Sequence, residues 1–256
     1  LLLEMMLYID GWEWEKRSLS IGYDFWITKD PAGNSWIVKF KGSFYSYREW
    51  VFSRLATRLG LNVRRAELVW ISKKDLLHTG QENSEPYQLL LQFIDKHNDG
   101  SCSPSCPFPE LRRHFQEESD IGEFVASVSP YNAADCILKD LLADMFGANE
   151  PSEWLFGTDH KYYIIDNELM FSTEPSGKIS APWLFARNGS YSKAGHKLLF
   201  DLCSKIVSLG DADLRDISKY PKGYKIDMLW PILPILRKGK KVARSILRNG
   251  PTYYNS

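Results

Sequence analysis

At 256 residues and 29.5 kDa, the chain is long enough for one or two lobes and a core that needs no disulfide or metal. Its 44% hydrophobic and 25% charged residues exclude an intrinsically disordered protein. Lysine and arginine (32) balance aspartate and glutamate (32), which excludes a global field steering the chain to nucleic acid or an anionic membrane.

The opening Leu1-Leu2-Leu3-Glu4-Met5-Met6-Leu7 lacks the basic start and small-residue cleavage site of a secretory signal. Residues 23–28 and 35–40 alternate around Asp30-Pro31-Ala32-Gly33-Asn34, which predicts a β-hairpin. Ser46-Tyr47-Arg48-Glu49 has the spacing of a capping box. It opens a predicted helix with Trp50, Leu55 and Leu59 on its apolar stripe, and Gly60 follows its end. Strands over 66–71 and 87–94 complete a ββαββ pattern, a small antiparallel sheet carrying one helix.

From 95 to 109 the composition turns to His, Asn, Asp, Gly, Ser, Cys and Pro, which marks a lobe boundary. The expected division is an N-lobe over 1–95 and a C-lobe over 96–256. Helices are predicted at 110–118, 133–142, 192–209 and 226–248, interrupted by a hairpin of strands 154–156 and 162–165. The fold class is α+β, a small antiparallel-sheet lobe joined to a mainly helical lobe, with its ligand expected in the cleft between them.

Asp144-Met145-Phe146-Gly147-Ala148-Asn149 sets an acid and an amide five apart, just after a predicted helix, and the hairpin that follows runs out into Asp166. Protein kinases place their groups in this order: a catalytic-loop Asp, an Asn five residues on, two strands, then a metal-binding Asp. Asp144 is the candidate that reaches the attacking hydroxyl, and Asn149 and Asp166 are the candidates to share Mg²⁺. Lys39, on a strand of the small lobe, can pair with the phosphates of ATP, and Glu49 on the following helix can hold that lysine. Each residue also has a plain structural reading. Gly147 could cap a helix ending near Asp144, Asn149-Glu150-Pro151 could be a turn, and Asp166-Asn167 could merely end a strand. Lys39 and Lys41 could guard an edge strand, and Glu49 could complete the capping box with Ser46. The five residues, in order and on the right element types, favour phosphoryl transfer and a two-lobed protein-kinase-like fold.

Two stretches further resemble the HipA-type serine/threonine kinases, the bacterial toxin kinases of toxin–antitoxin pairs. Glu49 through Ala56-Thr57-Arg58-Leu59-Gly60-Leu61-Asn62-Val63 to Ala66-Glu67-Leu68 is similar to that family's helix after the ATP-binding lysine strand. Leu91-Gln92-Phe93-Ile94-Asp95-Lys96 sits where the family has its hinge strand. The likeness spans 38–171, with fainter support from Pro221-Lys222-Gly223-Tyr224. It implies ATP and Mg²⁺ as cofactors, a protein substrate phosphorylated on Ser or Thr, toxin-like growth control and an antitoxin partner. Adenine is expected against the backbone near Gln92 and Ile94, where a hinge strand offers N–H and C=O groups. The resemblance also implies self-phosphorylation in the loop that holds Ser18 and Ser20.

The chain departs from the family in three places. Met145-Phe146 follow Asp144 where the family has Asp-Arg/Gly-His, and Ser18-Leu19-Ser20-Ile21-Gly22 offers one glycine where a GxGxxG would cover phosphates. The additional N-terminal subdomain of longer members is also missing, so a separate partner protein is expected to supply it. Two alternatives therefore stand beside the active kinase: a nucleotide-binding regulatory module without turnover, and a kinase with a lipid or small-molecule acceptor.

Cys102-Ser103-Pro104-Ser105-Cys106, flanked by His97 and His114, fits zinc spacing poorly and reads as a loop thiol pair. With Cys136 and Cys203 these are too few and too irregular for a disulfide scaffold, which predicts reduced thiols and a cytoplasmic location. No apolar run approaches the roughly 18 residues of a membrane span. The basic run Arg237-Lys238-Gly239-Lys240-Lys241, continuing to Arg244 and Arg248, reads as a solvated helix face. Trp12, Trp14 and Trp26 read as packing residues, and neither membrane association nor direct nucleic-acid binding is expected.

Overall fold

A computed structural model of the chain describes residues 7–18, 24–94, 133–148, 153–156, 159, 161–165, 167–175, 178–179, 193–224 and 232–253. The first part builds β1 (Leu7–Ile9), β2 (Glu13–Ser18), β3 (Asp24–Lys29), β4 (Ser35–Lys39), α1 (Ser43–Arg58), β5 (Ala66–Ile71), α2 (Lys73–His78) and β6 (Tyr87–Gln92). The six strands form one sheet in the order β1-β5-β6-β4-β3-β2. Strands β3 and β4 are the predicted hairpin, with Ile27 opposite Ile37. Asp30 folds its turn: the carboxylate accepts the amides of Ala32 and Asn34 and the side-chain N–H groups of Asn34 and Trp36.

Three features differ from the ββαββ expectation. The strands β1 and β2 and the short helix α2 are additional, and β1 pairs in parallel with β5, Leu7 opposite Val69. Strand β4 lies between β3 and β6, so Lys39 is on an interior strand and an edge-guarding role for it falls away. Helix α1 begins at Ser43, a turn earlier than the capping box requires. Ser46 Oγ is buried without a hydrogen-bond partner among the described residues, and the Ser43 amide donates instead to the Glu85 carboxylate at 2.8 Å. A carboxylate from outside the helix thus meets the positive N-terminal end, and Glu49 is released from any capping duty.

The second part comprises α3 (Ala133–Phe146), the hairpin β7 (Glu153–Phe156) and β8 (Tyr162–Ile165), β9 (Lys178–Ile179), α4 (Lys193–Ser208), α5 (Asp211–Ile217), α6 (Ile232–Asn249) and β10 (Thr252–Tyr253), which pairs with β9. The expected helix at 110–118 lies outside the described residues. Helix α3 runs four residues past its expected end because Met145 and Phe146 extend its buried face. It stops at Gly147, whose φ of +78° suits glycine. Helix α5 was not expected; the Gly210 amide at its start donates to the Asp213 carboxylate at 2.7 Å. The basic run on α6 is partly stitched into the lobe: Arg237 grips Asp211, Lys238 pairs with Glu174 and Lys240 donates to the Leu209 carbonyl. Lys241, Arg244 and Arg248 are exposed, as expected of a solvated face.

One apolar cluster joins both parts. It runs from Trp50, Phe52 and Leu55 on α1, through Leu68 and Leu89 of the sheet, to Leu141, Phe146, Leu199, Leu236 and Ile246 of the helical part. A smaller cluster on the other sheet face holds Ile9, Trp36, Val38, Val69 and Leu90, with Trp12 and Trp14 packed against it. The period of two along β4 sends Trp36 and Val38 into the small cluster and Ile37 and Lys39 toward the opposite face. Among the described residues, no helix is long and apolar enough to cross a membrane.

Candidate functional site

Lys39 closes β4, the chain turns through Gly42, and α1 brings Glu49 back over it. The ammonium lies 2.9 Å from Glu49 Oε2 and 3.3 Å from Glu168 Oε2. The other oxygen of Glu168, Oε1, is bound by the ammonium of Lys41. The side chains differ in depth: Glu49 is 3% exposed, Glu168 15% and Lys41 51%. Depth sets energy. Removing one partner of a buried pair costs about 3–5 kcal/mol, whereas a half-exposed pair contributes about 0–1 kcal/mol. The Lys39–Glu49 pair is therefore a fixed element, and the Lys41–Glu168 contact is readily exchanged.

The position of Glu49 is set by both parts of the molecule. Tyr47 donates its hydroxyl to the Ser218 carbonyl at 2.5 Å, and Tyr224 donates to the Ser43 carbonyl at 2.6 Å. Burial pushes both phenols well above their ordinary range, so both donate across the physiological pH span. Arg54 pairs with Asp216, and Arg58 with Asp213 and Asp216. These arginines edge a cleft of about 610 Å³, bounded also by Trp50 and Arg65, that includes none of Lys39, Glu49 or Glu168.

Glu168 comes from a turn that α3 holds in place. Lys139, 2% exposed, donates to the Ile165 carbonyl at 2.8 Å, fixing the end of β8. Met170 and Ser172 close the turn through amides donated to Asn167 and Leu169. Phe171 takes the left-handed φ of +62° and packs edge-on against Phe146, 6.2 Å between ring centres. Gly147 passes under Thr173 so closely that a Cβ would stand 2.0 Å from the Thr173 carbonyl oxygen. Asn167 is 2% exposed, and its Oδ1 has no hydrogen-bond partner among the described residues.

Of the site residues expected from sequence, Lys39 and Glu49 are in direct contact. Asp144 is partly buried in the last turn of α3, inside the helix rather than in a loop after it. Gln92 ends β6 with an exposed side chain, and its amide donates to the Arg65 carbonyl at 2.8 Å, so the free N–H expected there is already engaged. Ile94 is partly buried two residues on, after Phe93, whose amide donates to Ser35. Ser18 closes β2 opposite Asp24, at the strand end that leads toward β3. Asn149, Asp166, Ser20, Cys102, Cys106, His97 and His114 lie outside the described residues. Among the described residues, no group of three His, Cys, Asp or Glu side chains could hold a metal ion.

Sequence reading missed Glu168, Lys41 and Lys139 as site residues. Lys41 carried only a weak signal, as a second cation two residues beyond Lys39. Glu168 carried none, because its partners are 127 and 129 positions away.

A curled, mainly antiparallel sheet with one long helix, set on a helical second part, is a two-lobed protein-kinase-like fold. Among solved structures, a Helicobacter pylori proinflammatory kinase, CtkA, is similar, with a TM-score of 0.50 at 10% identity over 94% of this chain and 93% of that one. At that identity the likeness concerns the fold. No protein-family model matches the chain, and no curated protein sequence matches it.

Proposed function

We propose that the protein is an ATP- and Mg²⁺-dependent phosphotransferase, and more finely a serine/threonine protein kinase of the HipA type. One observation carries the reading: the buried Lys39–Glu49 pair at 2.9 Å, joining an interior sheet strand to α1 in a two-lobed kinase-like fold. A fixed lysine beside a second, exchangeable cation suits a phosphate chain, which fits ATP. ATP would supply the transferred phosphoryl group, and Mg²⁺ would neutralise its charge. Lys39 would bind phosphate oxygens, and Glu49 would hold the ammonium in place. Asn149 and Asp166, an amide and a carboxylate, are the hard oxygen ligands suited to Mg²⁺. Ile94 would meet the adenine, and Asp144 would take the acceptor's proton. Self-phosphorylation at Ser18 or Ser20, an antitoxin partner and a cytoplasmic location belong to the same proposal.

Incubation with ATP and Mg²⁺ followed by intact-mass and phosphopeptide analysis tests the reading. Wild type should gain phosphate on itself or on a bacterial protein, and Asp144→Asn should abolish the gain. A specific observation favours the second reading, nucleotide binding without turnover: Asp144 lies within helix α3, not in an extended catalytic loop. ATP binding with no phosphate transferred from wild type would select it.

A further inference from the structure

The carboxylate of Glu168 has one oxygen on Lys39 and the other on Lys41. Lys39 already carries a full counter-charge in Glu49, so Glu168 is a second carboxylate on the same ammonium. Lys41 is half exposed, and Glu168 sits on a turn clamped from below by Lys139, Gly147 and Phe171. The turn is anchored, and the side chain at its tip reaches one largely buried ammonium and one half-exposed ammonium. Two ammonium groups bridged by two oxygens of one anion match what adjacent oxygens of a polyphosphate demand.

We propose that Lys41 is a second phosphate-binding cation, and that Glu168 competes with nucleotide phosphates for Lys39 and Lys41. The proposal rests on the nucleotide-binding reading. A polyphosphate brings more negative charge than one carboxylate and displaces Glu168 from both lysines, while the deeper Glu49 keeps its hold on Lys39. Glu168 thereby sets a threshold: adenosine gains nothing from the two lysines, and only a ligand with several phosphates outbids the carboxylate. The device selects nucleoside di- and triphosphates over nucleosides.

The test is binding to the purified full chain, with ATP in EDTA and with adenosine, for wild type, Glu168→Gln, Lys41→Ala and the double variant. EDTA removes any contribution of Glu168 to metal. Neutralising Glu168 should tighten ATP by about tenfold, the scale of one adjacent charge at a partly buried site. Adenosine affinity should not move, and adding Lys41→Ala should remove part of the gain, because Lys39 is still freed. Lys41→Ala alone should weaken ATP and leave adenosine unchanged, which keeps the test decisive should Glu168→Gln fold poorly. Wild-type ATP binding with no tightening in Glu168→Gln, or equal tightening of adenosine, overturns the competition. An adenosine affinity that equals that of ATP in every form overturns the phosphate role of Lys41. Binding of neither ligand by any form overturns the nucleotide reading itself, a result distinct from the other two.

Discussion

Among the described residues, Lys39 is shared by two carboxylates of unequal depth, Glu49 at 2.9 Å and Glu168 at 3.3 Å. The asymmetry makes the two halves of the pair respond differently to mutation. Lys39→Met strips the ammonium from a carboxylate that is 3% exposed and should cost about 3–5 kcal/mol. Glu49→Gln leaves the ammonium with Glu168 and keeps the shape, and should cost about 1–2 kcal/mol. Urea denaturation of both variants checks the order; equal losses would show that Glu168 takes no share of the lysine. Cys203 is a second residue with a defined response. Burial pushes its thiol up to about 12, so in the native protein it should resist thiol reagents at pH 8 and react once the chain is unfolded. Peptide mapping of the modified cysteines reads the difference.

Helices α3 and α6 meet at Gly239, where a Cβ would stand 2.3 Å from the Phe146 ring and 2.9 Å from the Met145 carbonyl oxygen. Helix propensity alone would favour alanine there by about 1 kcal/mol. The clash should win, giving Gly239→Ala a net loss of about 1–3 kcal/mol in a denaturant titration; a gain in stability would contradict the contact. Element by element, legibility in the sequence followed locality. The β3–β4 hairpin was readable because Asp30 makes its own turn, and Lys39 and Glu49 because ten residues on a strand and a helix separate them. Helix α2 was readable in principle: Ser72 caps it by accepting the Asp75 amide, a Ser-x-x-Asp signature. The start of α1 was not, because its cap is Glu85, 42 positions away, and the nearer Ser46-x-x-Glu49 spacing was a decoy. The parallel pairing of β1 with β5 and the reach of Glu168 to Lys39 depend on long returns of the chain that no local pattern encodes.

At the scale of the whole molecule, the shared apolar cluster predicts that the two parts unfold together. Scanning calorimetry should show one transition, and two resolved transitions would contradict a common core. The same burial fixes the alkaline limit. Cys203 and Tyr163 are each pushed up to about 12, with burial the leading cause, and burial drives Tyr47 and Tyr224 higher still. A folded-state value above the unfolded one means that the unfolded chain releases its proton first as pH rises. Stability from these groups is therefore complete below about pH 9, and it is lost as pH climbs through 9 to 12. Melting temperatures measured from pH 7 to 11 should be level and then fall steeply, and the last tyrosinate absorbance to appear, that of the buried phenols, should accompany unfolding.

Helix α1, stitched by Tyr47 and Tyr224 to the far side of the molecule, has a thermodynamic consequence for any ligand that Lys39 binds. A helix already seated in the core buries no further apolar surface when the ligand arrives, and the lysine beside it needs no ordering. Isothermal titrations at several temperatures should therefore give a heat-capacity change close to that of the ligand's own contacts, since a large negative value is the mark of newly buried apolar area. Tyr224→Phe removes one stitch, and the ordering then has to happen on binding: the slope of enthalpy against temperature should turn more negative as affinity drops.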